Sequence, residues 1–249
     1  MAANKMFEGQ VPLQVAIVTG GAQGLGGAIA AMLQRNGAKV MVFDMKPVVE
    51  GASPELSSCV VDVRDEESVV AGFKKTVELW GRVDIMVNCA GIVGPHSATA
   101  DIVDVAEFDK VYQVNVRGSF LMTKHSLVEM KKRNYGRILL IASIAGKEGN
   151  AGMCAYSSSK AAVIGLVKSV GKENAESGIT VNALAPAVVM TPMVEAMDPA
   201  QVKYMTDKIP MKRCCSLDEV ASITQFIVSQ EASFNTGVCF DLTGGRATY

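Results

Sequence analysis

Tyr156 is followed four residues later by Lys160 in Ala155-Tyr156-Ser157-Ser158-Ser159-Lys160-Ala161-Ala162, a separation of about one helical turn. On a helix that spacing stacks a phenol and an ammonium on one face, where the cation favours the ionised phenol and lowers its pKa. Moving a tyrosine from ~10 to ~7 takes about 4 kcal/mol, and a unit charge ~4 Å away at an effective dielectric of about 20 supplies that much. Such pairs are common on solvated helices, so this one gains meaning from its company. A glycine-rich turn lies far upstream, an acid follows it, and Ser143 ends an apolar run just before the tyrosine.

The elements that must position these residues read as alternating strands and helices. Short apolar runs occur at Val15–Val18, Lys39–Phe43, Cys59–Val61, Ile85–Val87, Ile138–Ile141, Val181–Leu184 and Val238–Phe240. The intervals carry helical patterns near 24–35, 65–80, 107–132, 155–177, 199–208 and 217–228. Parallel strands need long crossover connections and, buried on both faces, read as near-continuous apolar runs. The expected fold is α/β: a single-domain, Rossmann-like, doubly wound parallel sheet of seven strands with helices on both faces. The domain would take in residues 1–249, with the nucleotide-binding part at about 12–150 and a lid at about 190–212.

The first strand runs into Thr19-Gly20-Gly21-Ala22-Gln23-Gly24-Leu25-Gly26 and then an Ala-rich helix. Glycines at a strand-to-helix turn let backbone N–H groups and the helix start approach a pyrophosphate closely. The second strand ends in Asp44, about where a dinucleotide fold places the acid that binds its ribose. A carboxylate accepts both hydroxyls of an unmodified ribose and repels a 2′-phosphate, so NAD is expected over NADP. Gln23 points the same way, since the loop offers no cation there; Lys46 is the nearby cation opposing it. Asp62-Val63 and Asn88-Cys89-Ala90-Gly91 follow the third and fourth strands, at the carboxyl edge where open α/β sheets bind ligands. Asn115, in Val114-Asn115-Val116, is an amide among apolar residues that needs a reason to be there.

Bulk properties narrow the function classes. The 249 residues carry a net charge of −1 with both signs dispersed, which leaves no basic stripe for nucleic acid and no polybasic membrane patch. The opening stretch Met1–Gln10 is polar, and no apolar run approaches the ~18 residues of a membrane span, so a soluble cytoplasmic protein is expected. Six cysteines, at 59, 89, 154, 214, 215 and 239, lack metal or disulfide spacing and read as reduced thiols. With only two histidines, His96 and His125, no metal site is expected.

Taken together, Thr19-Gly20-x-x-x-Gly24-x-Gly26, Asn88-Cys89-Ala90-Gly91, Asn115, Ser143, Tyr156-x-x-x-Lys160 and Pro186-Ala187-Val188-Val189-Met190-Thr191 closely resemble the short-chain dehydrogenase/reductase family, in order and over nearly the whole chain. The resemblance implies that Tyr156 is the general acid/base and that Ser143 orients the substrate oxygen. It further implies that Lys160 binds the nicotinamide ribose and lowers the tyrosine pKa, and that Asn115 supports a proton-relay water. It also implies an NAD site from Gly20, Gln23, Gly24, Leu25, Gly26, Asp44, Met45, Asp62, Val63, Asn88, Ala90, Gly91, Tyr156, Lys160, Pro186, Val189 and Thr191. Two positions depart from the commonest family pattern: Cys89 replaces a second asparagine and Ala187 a glycine.

The Met-rich segment after Thr191, with Met193, Met197, Met205 and Met211, occupies the family's lid position. Substrate-bordering residues are expected to be His96, Ser143, Ile144, Glu148, Asn150, Met153, Cys154 and Met193, a partly polar set suited to a small hydroxylated substrate. The tail residue Arg246 is expected to meet a substrate carboxylate, since tetrameric relatives bring such tails near a neighbour's site, and a homotetramer is expected. The stretches 143–150 and 244–249 look like those of family dehydrogenases of sugars and sugar acids, so the leading expectation is an NAD-dependent dehydrogenase of a sugar, sugar acid or polyol. A 3-oxoacyl-thioester reductase acting on a carrier protein is the alternative enzyme, disfavoured by Asp44 and Gln23, and a non-catalytic NAD sensor or scaffold the alternative of another class.

Overall fold

The computed structural model describes residues 14–46, 55–247 and 249; the opening stretch read above as unexported lies outside them. Seven strands, β1 (Val15–Thr19), β2 (Lys39–Asp44), β3 (Leu56–Val60), β4 (Ile85–Asn88), β5 (Gly136–Ile141), β6 (Ile179–Pro186) and β7 (Cys239–Leu242), form one sheet in the order β3-β2-β1-β4-β5-β6-β7. Every adjacent pair is parallel. The chain winds outward from β1 through β2 to β3, then returns to β4 on the other side of β1. That reversal makes the carboxyl ends of β1 and β4 the switch point at which a crevice opens.

Alternate strand residues point to opposite faces, and each face has its own core. Ala16, Val18, Val40, Val42, Ile85 and Val87 pack with Ile29 and Leu33 of α1 (Gly24–Arg35) and with Val220 and Ile227 of α9 (Leu217–Ile227). On the other face Ile17, Met41, Phe43, Met86 and Leu140 meet α2 (Glu66–Trp80), α4 (Gly118–Met130) and α6 (Cys154–Glu173) through Phe73, Leu121, Met122, Val163 and Val167. Phe43 and Phe73 meet edge-on with centroids 5.8 Å apart, a favourable aromatic geometry.

Two elements differ from the expected ones. β3 pairs from Leu56 through the polar Ser57 and Ser58 rather than from Cys59 to Val61, because it is an edge strand, half exposed, and needs no continuous apolar run. The stretch read as one helix over 107–132 is α3 (Val105–Tyr112), a π-helical turn at Gln113–Arg117, and α4. The helix is interrupted where Gly118 brings the backbone against Val63 and Asn115 turns its amide to a neighbouring loop. Short helices α5 (Ala145–Glu148), α7 (Pro192–Glu195) and α8 (Pro199–Asp207) complete the carboxyl edge. Among the described residues, no helix is long and apolar enough to cross a membrane.

The first turn of α1 lies so close under β1 that a Cβ on Gly26 would overlap the carbonyl oxygen of Gly20. Gly26→Ala is expected to destabilise the protein by about 1–3 kcal/mol, read as a lower thermal midpoint, whereas an unchanged midpoint would mean that this turn relaxes freely.

Candidate functional site

The crevice at the switch point is a cleft of about 770 Å³. It gathers most of the residues expected from the sequence to hold a nucleotide. Gly20, Gln23, Gly24, Leu25, Gly26, Asp44, Met45, Asp62, Val63, Ala90, Gly91 and Thr191 line it, as does Met193. Asn88, Pro186, Val189, Tyr156 and Lys160 do not line it. Pro186 is a buried strand end whose carbonyl accepts from Ile144 N–H at 3.0 Å, and Val189 is buried beside Cys215.

The start of α1 fits a pyrophosphate. Its N-cap, Gln23, makes no side-chain capping bond, and no acidic residue lies in the first turn. The helix therefore presents unshared N–H groups and the positive end of its dipole. Gly24, at φ +55, has nothing within 4 Å of where a Cβ would stand. At the far end of the cleft, Asp44 accepts Ala22 N–H and Lys46 N–H, each at 3.0 Å, which fixes its carboxylate with one lone pair still free on each oxygen. Asp62 is clasped by Arg64, whose Nη2 stands 2.7 Å away; the guanidinium holds this carboxyl below its ordinary range. Arg64 and Lys110 also line the cleft, neither of them singled out from the sequence.

Behind the cleft runs a continuous set of hydrogen bonds. Thr19 Oγ1 donates to Asn88 Oδ1 at 2.6 Å and accepts Ala90 N–H at 3.0 Å. Asn88 Nδ2 donates to Ser119 Oγ at 2.9 Å, and Ser119 Oγ to the main-chain oxygen of Asn115 at 2.6 Å. The Asn115 amide accepts from Ile92 N–H and donates to Ile92 O, both at 2.9 Å, and donates to Ser159 Oγ at 3.0 Å. Ser159 Oγ donates to Tyr156 O at 2.7 Å. The Asn115 side chain is thus a staple between the π-helical turn, the loop after β4 and α6. Ser119 and Ser159 went unremarked in the sequence, although one lies four residues after Asn115 and the other just before Lys160.

Ser143, Tyr156 and Lys160 come together beside Gly91, where a Cβ would stand 3.4 Å from Lys160 Nζ. Tyr156 hydrogen-bonds Ser143; burial pushes the phenol above its ordinary range, and that bond offsets part of the rise. Lys160 Nζ donates to Ile141 O at 2.7 Å and stands 5.7 Å from the Tyr156 ring centroid. Burial thus outweighs the expected downward pull of Lys160 on the phenol, and it also brings the ammonium itself down to about 8. Cys89, which replaces the family's second asparagine, lies near this ammonium with its thiol pushed up to about 12 by burial, so it stays neutral.

The residues expected at the substrate divide. Met153 and Cys154 lead into α6, and Asn150 accepts Met153 N–H at its main-chain oxygen (3.1 Å) and donates its own N–H to Ser157 Oγ (3.0 Å). His96 lies exposed on the loop after β4. Met193 and Met211 are exposed at 69% and 64%. Arg246 does not project outward: its guanidinium lies on Glu148, at 2.9 and 2.8 Å, and on Asn150 at 3.3 Å, all within one chain. Among the described residues no group of three or more His, Cys, Asp or Glu could hold a metal ion.

This sheet, crevice and Ser–Tyr–Lys cluster define an oxidoreductase acting on CH–OH groups, and the chain belongs to the short-chain dehydrogenase/reductase family. The family model described as Enoyl-(Acyl carrier protein) reductase matches residues 20–246. The chain is 40% identical over 250 residues, 98% of its length and 99% of the relative's, to the 2-dehydro-3-deoxy-L-rhamnonate dehydrogenase (NAD(+)) of Sphingomonas sp. (strain SKA58). Among solved structures it is similar to gox2181, with TM-score 0.88 and 33% identity over 94% of this chain and 95% of that one. It is also similar to an actinorhodin polyketide ketoreductase solved with NADPH, with TM-score 0.86 and 31% identity over 95% and 98% of the two chains.

Burial of Lys160 gives a signed pH dependence. Its folded pKa of about 8 lies below the ordinary lysine value of 10.5, so between those values the unfolded chain binds the extra proton and stability rises with pH. The penalty is fully present below about pH 8 and is lost towards pH 10. Thermal midpoints of wild type and Lys160→Met, compared from pH 7 to 10, are expected to converge or cross as the wild type gains; a difference independent of pH would contradict a buried, charged Lys160.

Proposed function

We propose that this chain is a cytoplasmic NAD-dependent dehydrogenase that oxidises a secondary alcohol of a small hydroxylated molecule, a sugar acid, sugar or polyol, to the ketone. The observation that carries the reading is the Ser143–Tyr156–Lys160 cluster standing against a cleft with an uncapped, glycine-lined helix start at one end. The name and 40% identity of the Sphingomonas relative support the sugar-acid class. Gly20, Gly24, Leu25 and Gly26 would hold the pyrophosphate, Asp44 and Met45 the adenosine ribose, and Asp62 and Val63 the adenine. Ala90, Gly91, Pro186, Val189 and Thr191 would hold the nicotinamide half with Asn88 beneath.

When bound, the oxidised nicotinamide supplies the acceptor for the carbinol hydride and a positive charge near the phenol. The chain's own residues manage the proton. Ser143 holds the substrate oxygen and Tyr156 takes its proton as the C=O bond forms, with release of that proton to water closing the balance. Lys160, anchored on Ile141 O, holds the nicotinamide ribose and favours the phenolate. Asn115, through its staple, keeps the backbone beside Tyr156 in place for a relay water. Asp44, with its oxygens fixed by Ala22 and Lys46 N–H groups, favours NAD over NADP.

The test follows absorbance at 340 nm with NAD⁺ or NADP⁺ against sugar acids, sugars, polyols and 3-hydroxyacyl thioesters. Turnover is expected with NAD⁺ and a hydroxylated small molecule. Tyr156→Phe is expected to remove it, by at least about 10²-fold, with NAD⁺ affinity nearly unchanged. Activity confined to NADP(H) and thioesters would favour the acyl-reductase alternative, and NAD⁺ binding without any turnover the sensor.

We also place the chain in a homotetramer. α4 leaves Phe120 and Val128 about half exposed, at 49% and 52%, and a Cβ at Gly165 on α6 would meet open space, so α4 offers apolar side chains and α6 an unobstructed approach to a second copy. Light scattering is expected to give four times the chain mass, and a monomer mass would reject the assembly.

A further inference from the structure

The tail after β7 folds back on the loop between Ser143 and Tyr156 through side chains that the chemistry above leaves unused. Thr243 Oγ1 accepts Ala247 N–H at 3.1 Å and Thr243 O accepts Arg246 N–H at 3.2 Å, closing a turn whose Ala247 is buried. On one side this turn abuts the foot of the lid segment: Gly244 O accepts Met211 N–H at 3.2 Å. On the other side Arg246, its side chain only 14% exposed, lays Nε and Nη2 on Glu148 Oε2 and Nη2 on Asn150 Oδ1. A second tie lies alongside. Lys147 Nζ meets Asp241 of β7 at 3.0 Å and the main-chain oxygen of Tyr249, while Tyr249 Oη donates to Lys147 O at 2.8 Å.

The loop so clasped is largely irregular. It contains Gly149 at φ +73 and Gly152 at φ +78, and its helical content is the single turn of α5. The clasp reaches both sides of the Ser–Tyr pair: Glu148 ends the short helix begun two residues after Ser143, and Asn150 N–H bonds Ser157, next to Tyr156. The guanidinium engages the carboxylate and the amide through Nε and Nη2, and the two N–H donors of Nη1 lie outside these bonds. It has the geometry to hold two walls at a fixed separation.

We infer that Arg246 is a positioning residue: its latch to Glu148 and Asn150, with the Lys147–Tyr249 tie, couples the foot of the lid to the loop between Ser143 and Tyr156 and sets the width of the substrate pocket. The kinetic part rests on the function proposed above. None of these residues lines the cleft that would take the adenosine and pyrophosphate, so the effect is expected on the substrate rather than on NAD⁺ affinity.

The experiment compares wild type, Arg246→Ala, Glu148→Gln and the charge exchange Glu148→Arg with Arg246→Glu in the full chain. Hydrogen–deuterium exchange at amides 144–153 and 209–213 is expected to rise about tenfold in both single variants, with β4 and β5 unaffected. Substrate KM is expected to rise about tenfold with kcat within about twofold, the NAD⁺ dissociation constant unchanged, and both readouts largely restored by the charge exchange. Unchanged exchange in either folded single variant would overturn the inference. A KM increase confined to acidic substrates and not rescued by the exchange would do so as well, assigning Arg246 to the substrate instead. If wild type turns over no alcohol, the proposed function fails while the exchange comparison still decides the latch; if Arg246→Ala does not fold, Glu148→Gln carries the same comparison.

Discussion

The site depends on one hydrogen bond between neighbouring parallel strands, from Thr19 to Asn88. These residues are register partners at the carboxyl ends of β1 and β4, where the direction of winding reverses. Their side chains close the floor of the crevice, and the path from Asn88 through Ser119, Asn115 and Ser159 carries that constraint to the backbone of Tyr156. Thr19, Asn88, Asn115, Ser119 and Ser159 are buried, and leaving one such group unpaired costs about 1–3 kcal/mol. The array is therefore strongly biased towards being complete. A complete array holds the glycine-lined turn and the tyrosine helix in one fixed relation, although 137 residues separate Thr19 from Tyr156.

Burial acts on the ionisable pair from both sides. It raises the phenol and lowers the ammonium, so it disfavours the charged form of each. Phenolate and ammonium formed together make a neutral pair, each supplying the opposite charge that burial otherwise withholds. The same desolvation that makes Tyr156 a poor acid alone thus makes it responsive to any positive charge brought into the site. Ser143 adds a bond that favours the phenolate, and the neutral Cys89 thiol leaves the balance to Lys160.

The parallel sheet was legible because buried strands need apolar runs, and the glycine-lined turn with its following acid because both close the carboxyl ends of apolar strands. Edges and contacts between distant segments were less so. β3 is held by pairing with β2 rather than by burial, and Ser57 and Ser58 therefore carry no apolar signal. The π-helical turn is invisible in a periodicity of apolar residues, since Asn115 is there to satisfy the main chain of Ile92, 23 positions away. Arg246 was expected to meet a substrate carboxylate, and its partners within the chain, Glu148 and Asn150, could not be read from the sequence. Whether a tail arginine meets a ligand or Glu148, 98 positions away, is decided by how the turn at Thr243 closes.

The fold itself leaves the choice of dinucleotide open, since chains of this architecture include a relative named for NAD⁺ and a structure solved with NADPH. The discrimination has to be local. At the end of β2 the carboxylate of Asp44 is pinned by two backbone N–H groups that hold it in place without neutralising its charge. The guanidinium nearest in sequence along the cleft, Arg64, is already committed to Asp62. A phosphate there would face a fixed carboxylate and a cation whose charge is spent on its neighbour, whereas a pair of hydroxyls would find an acceptor with lone pairs to spare. Recruiting Arg64 would mean breaking its bond to Asp62 and leaving that carboxylate beside the incoming anion, so the Asp62–Arg64 pair would add to the preference for NAD proposed from Asp44.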